Sequence, residues 1–185
     1  MNPLVRGFKI LIRRLRTQGL RITAIWVYAR GLPYVTGRPI LSYSRVTSEL
    51  YVGPQFKMGG KRRLERAGIH YCVNMQVEFD DAEHGLDLAN YCHLPTVDDT
   101  PPTMEDMDRG VAFITNAVDS GGKVYIHCSA GVGRAPTMAV AYLLSKGHSL
   151  EEAVSMIRRV RPFINIMASQ MELLQQIEAG LGETK

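Results

Sequence analysis

Along this chain the apolar positions change their period several times, and each change marks an element. Lys123-Val124-Tyr125-Ile126 is a short apolar run rich in β-branched and aromatic residues, as expected of a strand buried on both faces. Met138 through Leu144 is apolar on every side, as in a helix enclosed by a core. Short β-like pieces are predicted at 43–46 and 50–52, the second closed by Gly53-Pro54. A polar helix over 57–67 ends at Gly68. A buried strand over 69–75, a turn or short helix within 85–90 and a strand over 90–95 follow. Residues 104–118 carry helical apolar spacing up to Gly121-Gly122. Ser149 with Glu152 forms a capping box for a helix that runs to about Val160 and stops at Arg161-Pro162. Residues 168–179 form the last helix. Strands that alternate with helices imply an α/β fold, a central mixed and partly parallel sheet flanked by helices.

The N-terminal region follows a different pattern. Leu4, Phe8, Leu11, Ile12 and Leu15 share one helical face, while Arg6, Lys9, Arg13 and Arg16 lie largely off it. Gly19 is expected to interrupt this helix. The uncharged run 22–29 holds Trp26 and Tyr28 but is too short to span a bilayer, and no signal-peptide pattern is evident. The chain therefore divides into a basic helical extension, 1–41, and a catalytic domain, 42–185.

Charge sharpens that division. The net charge of +4 is uneven, since residues 1–48 contain nine basic residues and no Asp or Glu, and the rest carries 13 basic against 18 acidic residues. Three readings of the extension are open: a helix packed on the domain, a basic amphipathic segment across residues 3–30 lying on an anionic membrane, or an organellar transit peptide. Nucleic acid is not an expected partner, because nothing else supports a basic groove. Cys72, Cys92 and Cys128 are an odd count without a CxxC pair, against a disulfide framework or structural zinc. Cys92-His93 reads as core, and no cofactor or metal is called for. A protective disulfide between Cys72 and Cys128 is a minor alternative to three free thiols. A reducing cytoplasm is the simplest setting, with a membrane surface or an organellar matrix as alternatives.

The chemistry concentrates where the apolar strand meets the apolar helix, in His127-Cys128-Ser129-Ala130-Gly131-Val132-Gly133-Arg134-Ala135-Pro136-Thr137. Cysteine attacks as its thiolate, and a helix starting near Arg134 or Ala135 points unpaired N–H groups and a favourable dipole back at Cys128. Gly131 and Gly133 are expected to take positive φ angles that turn successive N–H groups inward. The amides of Ser129, Ala130, Gly131, Val132 and Gly133 would then cradle phosphoryl oxygens. Arg134 adds a planar fork that lysine cannot copy. The loop's interior side chains are uncharged, which favours a singly phosphorylated group over a polyphosphorylated one.

A thiolate alone leaves the departing oxygen without a proton, so a general acid on a mobile loop is required. The proline-rich segment 95–102 supplies two candidates, Asp98 and Asp99.

The His-Cys, five residues, Arg wording resembles the cysteine-dependent protein tyrosine phosphatase superfamily, and His-Cys-x-Ala-Gly-x-Gly-Arg resembles its dual-specificity branch, over roughly residues 43 to 178. This resemblance implies a dual-specificity phosphatase-like fold and phosphate monoester hydrolysis through a cysteinyl phosphate, acting on phosphotyrosine, phosphoserine or phosphothreonine in proteins. It places the acid about thirty residues before the cysteine, which selects Asp98. It also marks Gln170 as a candidate for positioning water. The branch usually has Ser or Thr directly after the Arg, where this chain has Ala135, so slower hydrolysis of the intermediate is implied. Gly133-Arg134-Ala135-Pro136 is similar to plant glucan phosphatases. Residues 25–31, Thr96-Val97-Asp98 and the tail 160–166 are similar to mitochondrial-type phosphatases acting on phosphatidylglycerophosphate. A lipid headgroup or phosphoglucan substrate is therefore the alternative, and a phosphate-binding pseudophosphatase a distant one.

Overall fold

The computed structural model describes residues 43–183, together with residues 11–13, 15, 16, 18–24 and 27. The chain falls into two compact units, Met1–Leu41 and Ser42–Lys185. In the first, the described residues are helical on both sides of Gly19, which has a φ of +77°. Leu20 is 78% exposed there and Val27 44%. The expectations for residues 3–10, Trp26 and Tyr28 lie outside the described residues. Among those described, no helix is long and apolar enough to cross a membrane.

The second unit is built on five strands: β1 (Ser44–Arg45), β2 (Leu50–Pro54), β3 (Ile69–Gln76), β4 (Asn90–Thr96) and β5 (Lys123–Cys128). Their order is β1-β2-β5-β3-β4, with β1 antiparallel and the other pairs parallel. Five helices flank them: α1 (Met58–Arg66), α2 (Met104–Asp119), α3 (Arg134–Ser145), α4 (Leu150–Val160) and α5 (Ala168–Glu183). This is the mixed, partly parallel sheet flanked by helices that the sequence pattern predicts. The expected turn near 85–90 comes earlier, as one 3-10 turn at Ala82–His84, because Gly85 closes it in the left-handed region at φ +66°.

Strand β5 is central and buried from Val124 to Cys128. Its period of two sends side chains to two cores. Val124, Ile126 and Cys128 join the apolar residues of α2, α3, α4 and α5. Tyr125 joins Tyr51, Ile69, Cys72 and Leu64 of α1 in the second cluster. The alternative of a Cys72–Cys128 disulfide is not realised: the two thiols pack in different clusters, and all three cysteines are unpaired. Helix α3 is buried from Arg134 to Leu144, which its all-round apolar sequence requires. The predicted capping box at Ser149 and Glu152 is present at the start of α4.

The segment between β5 and α3 is fixed from outside through its carbonyls. Gln55 N–H donates to Ser129 O at 3.3 Å, and Asn165 N–H donates to Val132 O at 2.8 Å. Gly133 O accepts from the N–H and the hydroxyl of Thr137. Arg161, just past the end of α4 and 2% exposed, takes the two carbonyls in between: Nη2 donates to Ala130 O at 3.0 Å and Nε to Gly131 O. Burial pulls the Arg161 guanidinium down to about 10, so it stays charged at neutral pH. Its plane lies 4.6 Å over the Phe163 ring. Gly131 has a φ of +62°, and a Cβ there would fall 2.4 Å from the Gly53 backbone.

Arg161→Leu should therefore leave two loop carbonyls unpaired, at a cost of about 2–4 kcal/mol, and lower the calorimetric midpoint by roughly 5–15 °C. Arg161→Lys keeps the charge but not the fork, and should recover only part of that loss. Gly131→Ala should destabilise comparably, from both the φ penalty and the overlap with Gly53.

Candidate active site

Five successive carbonyls of this loop are engaged, and since a trans peptide sets its N–H opposite its C=O, the geometry leaves the amides for the concave side, where Cys128 sits at the carboxyl end of β5. The Gly131 N–H donates to Cys128 Sγ at 3.2 Å. Helix α3 begins at Arg134, so its N-terminus also faces the nest. One expectation needs correction. Gly131 does take positive φ, but Gly133 does not; it is the N-cap of α3 at φ −115°. A Cβ at Gly133 would lie 3.4 Å from Asn165 O and 3.5 Å from Gln170 Oε1, ordinary van der Waals contact, so neither φ nor space demands glycine there. Ser129 is exposed, Ala130 and Gly133 half-buried, and Gly131 and Val132 buried, so the nest opens to solvent on one side.

Arg134 is 1% exposed, and a buried guanidinium needs partners. Nη1 donates to Glu78 Oε2 at 2.8 Å and Nη2 to Glu78 Oε1 at 2.7 Å, a two-point pair that fixes the plane of the fork. Nη1 also donates to Thr96 O at 2.8 Å and Met75 O at 3.3 Å. Asp98 Oδ1 lies 3.0 Å from Nη2. Burial opposes the charged form of Arg134, but the Glu78 hydrogen bonds and the nearby Cys128 and Asp98 charges outweigh it, and the net shift is upward. The Arg134 hydrogen bonds hold the Glu78 carboxyl below its usual range. This pair accordingly adds stability in full above an unfolded value of about 4.3, and loses it as pH falls through the lowered one. Nε of Arg134 is buried with no protein partner, so this donor is left for a ligand oxygen.

The structure brings Asp98 to the loop and leaves Asp99 as a turn residue. Thr100 N–H and hydroxyl both donate to Val97 O, at 3.2 and 2.9 Å, closing a turn in which Asp99 takes a φ of +62°. Aspartate tolerates this left-handed conformation better than most residues. Asp98 thus projects at the crest with its side chain 63% exposed, 3.0 Å from Arg134. Gln170 is fully buried in the first turn of α5; Oε1 accepts from Met167 N–H, and Nε2 donates to Thr100 O, each at 2.9 Å.

Sequence reasoning missed three supports. Glu78 belongs to the polar run Glu78-Phe79-Asp80-Asp81 just past the carboxyl end of β3. An acidic cluster at that edge of a parallel sheet was the available signal. Arg161 follows Arg158 and Arg159 closely in sequence, and nothing local distinguishes it from those two as the buried cation. Asp81 and His127 are both fully buried, and His127 Nε2 donates to Asp81 Oδ2 at 2.8 Å. Gln55 Nε2 donates to the other carboxylate oxygen at 2.7 Å. Cys72 lies within ligand distance of both residues, yet each Asp81 oxygen already has a protein donor, and burial pushes the Cys72 thiol well above its usual range. This cluster anchors the residue before the nucleophile from the far face of the sheet. His93, half of the Cys92-His93 pair, has both ring nitrogens engaged, by Gln76 O and Asp80.

Known proteins resemble this chain in sequence and in fold. A family model for the dual specificity phosphatase catalytic domain matches residues 50–179. A rat protein, phosphatidylglycerophosphatase and protein-tyrosine phosphatase 1, is 42% identical over 85 residues, covering 45% of this chain and 44% of its own. Mouse dual specificity protein phosphatase 1 is 28% identical over 148 residues, covering 79% of this chain and 39% of its own. The chain thus spans less than half the length of these curated relatives. Among solved structures, PTPMT1 in complex with PI(5)P superposes with a TM-score of 0.71 at 27% identity, over 77% of this chain and 98% of that one. The active form of Tk-PTP gives 0.65 at 28%, over 76% and 98%. The chain belongs to the dual specificity phosphatase family, whose catalytic domain it carries over residues 50–179.

Proposed function

We propose that this chain hydrolyses phosphate monoesters through a cysteinyl phosphate, with phosphorylated tyrosine, serine and threonine side chains of proteins as its main substrates. The observation that carries the reading is the convergence on one opening of the Cys128 sulfur, the inward amides, the unpartnered Nε of Arg134 and the Asp98 carboxyl. The Cys128 thiolate attacks phosphorus as the phosphorus–oxygen bond to the leaving group breaks, and Asp98 gives its proton to the departing oxygen. The amides and Arg134 stabilise charge on the equatorial oxygens throughout. Asp98, now a carboxylate, takes a proton from water as water attacks the cysteinyl phosphate. Inorganic phosphate leaves, and the thiolate and protonated acid are restored. The scheme needs neither metal nor cofactor, since the protein supplies nucleophile, acid and charge stabilisation.

A lipid headgroup is the second reading. Its support is the rat relative's name, which joins a phosphatidylglycerophosphatase to a protein-tyrosine phosphatase, and the PI(5)P bound in the PTPMT1 crystal structure. The N-terminal unit adds to it with an acid-free sequence and the exposed apolar side chains of Leu20 and Val27. In that case the extension lies on an anionic surface and brings the loop to headgroup phosphates.

Release of p-nitrophenol from its phosphate ester checks the scheme. Cys128→Ser should abolish it, and Asp98→Ala should lower kcat/KM by up to about 10²–10⁴-fold for phenyl and alkyl phosphates and least for this acidic leaving group, with substrate binding largely kept. Activity retained in Cys128→Ser would refute the cysteinyl phosphate. Ala135 is fully buried at the start of α3, where it offers no hydroxyl to the departing thiolate. Stopped-flow should therefore show a burst of p-nitrophenol in the native chain that shrinks in Ala135→Ser as the second step speeds up.

Substrate class is separated by measuring phosphate release from phosphotyrosine and phosphoserine peptides, phosphatidylglycerophosphate liposomes, phosphoinositides and phosphoglucan, with and without residues 1–40. The protein reading expects turnover of both peptides, unaffected by truncation. A selective loss on liposomes after truncation, relieved for soluble esters and steeper at high salt, supports the lipid reading instead.

A further inference from the structure

Asp98 sits on a turn that has little holding it from within. Residues 97–100 are all exposed, and the internal bonds of the turn both end on Val97 O. Pro101 and Pro102 follow, and neither has an N–H to donate. Yet proton transfer requires the carboxyl to sit within hydrogen-bond reach of one leaving oxygen. The structure ties the turn to the body from either side. Before it, Arg134 Nη1 donates to Thr96 O at 2.8 Å. After it, Gln170 Nε2 donates to Thr100 O at 2.9 Å across seventy residues of sequence. The second tie is itself fixed, because Gln170 is fully buried and its Oε1 is locked by the Met167 N–H at 2.9 Å. With both ends of the amide engaged, the carboxamide has one orientation, and its N–H points at the turn.

We infer that Gln170 is a positioning residue for the general acid: by holding the Thr100 carbonyl, it keeps the Asp98 turn over the phosphate loop during the first chemical step. This role rests on the assignment of Asp98 as the acid. It differs from water positioning, which would act only on the second step and would need a free amide end.

Leaving-group dependence separates these roles. Aryl esters with acidic leaving groups, such as p-nitrophenyl phosphate, depend least on the acid, whereas phenyl and alkyl phosphates depend on it most. Gln170→Met keeps the length of the side chain and removes the donor. Gln170→Glu keeps an acceptor for Met167 N–H but offers Thr100 O no donor at neutral pH, so it serves if the first variant folds poorly. The expected result in either is kcat/KM lowered about 10-fold for phenyl and alkyl phosphates, little changed for p-nitrophenyl phosphate, and no further loss when combined with Asp98→Ala. A loss equal across all leaving groups, in step with a lower thermal midpoint, would make Gln170 purely structural and overturn the inference. So would a fall in kcat alone with kcat/KM intact, which is the signature of water positioning. If Asp98→Ala by itself shows no leaving-group dependence, the acid assignment has failed, and the inference falls with it for that separate reason.

Discussion

Peptide groups carry a donor and an acceptor on opposite sides, so turning a run of amides toward one point commits the same run of carbonyls to the other side. Between Ser129 and Gly133 five carbonyls face away from the site, and each is met by a donor from elsewhere: Gln55 after β2, Arg161 after α4, Asn165 before α5 and Thr137 within α3. Most of the fold around β5 can be read as a means of placing those donors. Were any one missing, a carbonyl would lose its partner, and the loop could relax by turning a peptide over and spoiling the nest. The concave face is usable because the convex face is satisfied.

The second constraint is the burial of Arg134. A guanidinium at 1% exposure is tolerated only with dense pairing, and the pairing chosen is informative. Glu78 takes both terminal nitrogens, and backbone oxygens at the ends of β3 and β4 share Nη1. What remains unpaired is Nε. The fork is thus oriented before any ligand arrives, with one donor in reserve. Asp98 completes the group at 3.0 Å, so in the proposed scheme the charge that would hold the phosphate also sets where the acid would rest.

The two faces of β5 divide the labour. Cys128 points with Val124 and Ile126 into the helical layer, whose α3 supplies the dipole. Tyr125 and His127 point the other way, where Tyr125 stacks on His127 at 5.5 Å and Asp81 accepts from the imidazole. The nucleophile's neighbours in sequence are therefore anchored on the side it does not use. The same alternation separates Cys72 from Cys128, so a strand register, rather than any redox chemistry, decides that these thiols do not pair.

Much of this was written locally in the chain. The apolar runs at β5 and α3, the capping box at Ser149 and Glu152, and the alternation of strands with helices follow from propensity and periodicity, which act over a few residues. The Cys128-to-Arg134 loop was legible for the same reason, because its chemistry lies within one strand–turn–helix unit, and family resemblance singled out Asp98 from Asp99. Glu78, Arg161 and the Thr100 tie of Gln170 were not legible. Each is a contact between residues separated by 30 to 70 positions. Sequence alone thus determined which groups could do chemistry here. Only the tertiary structure decided which buried partners hold them in place, because hydrogen-bond satisfaction inside a protein is settled by what packing brings near.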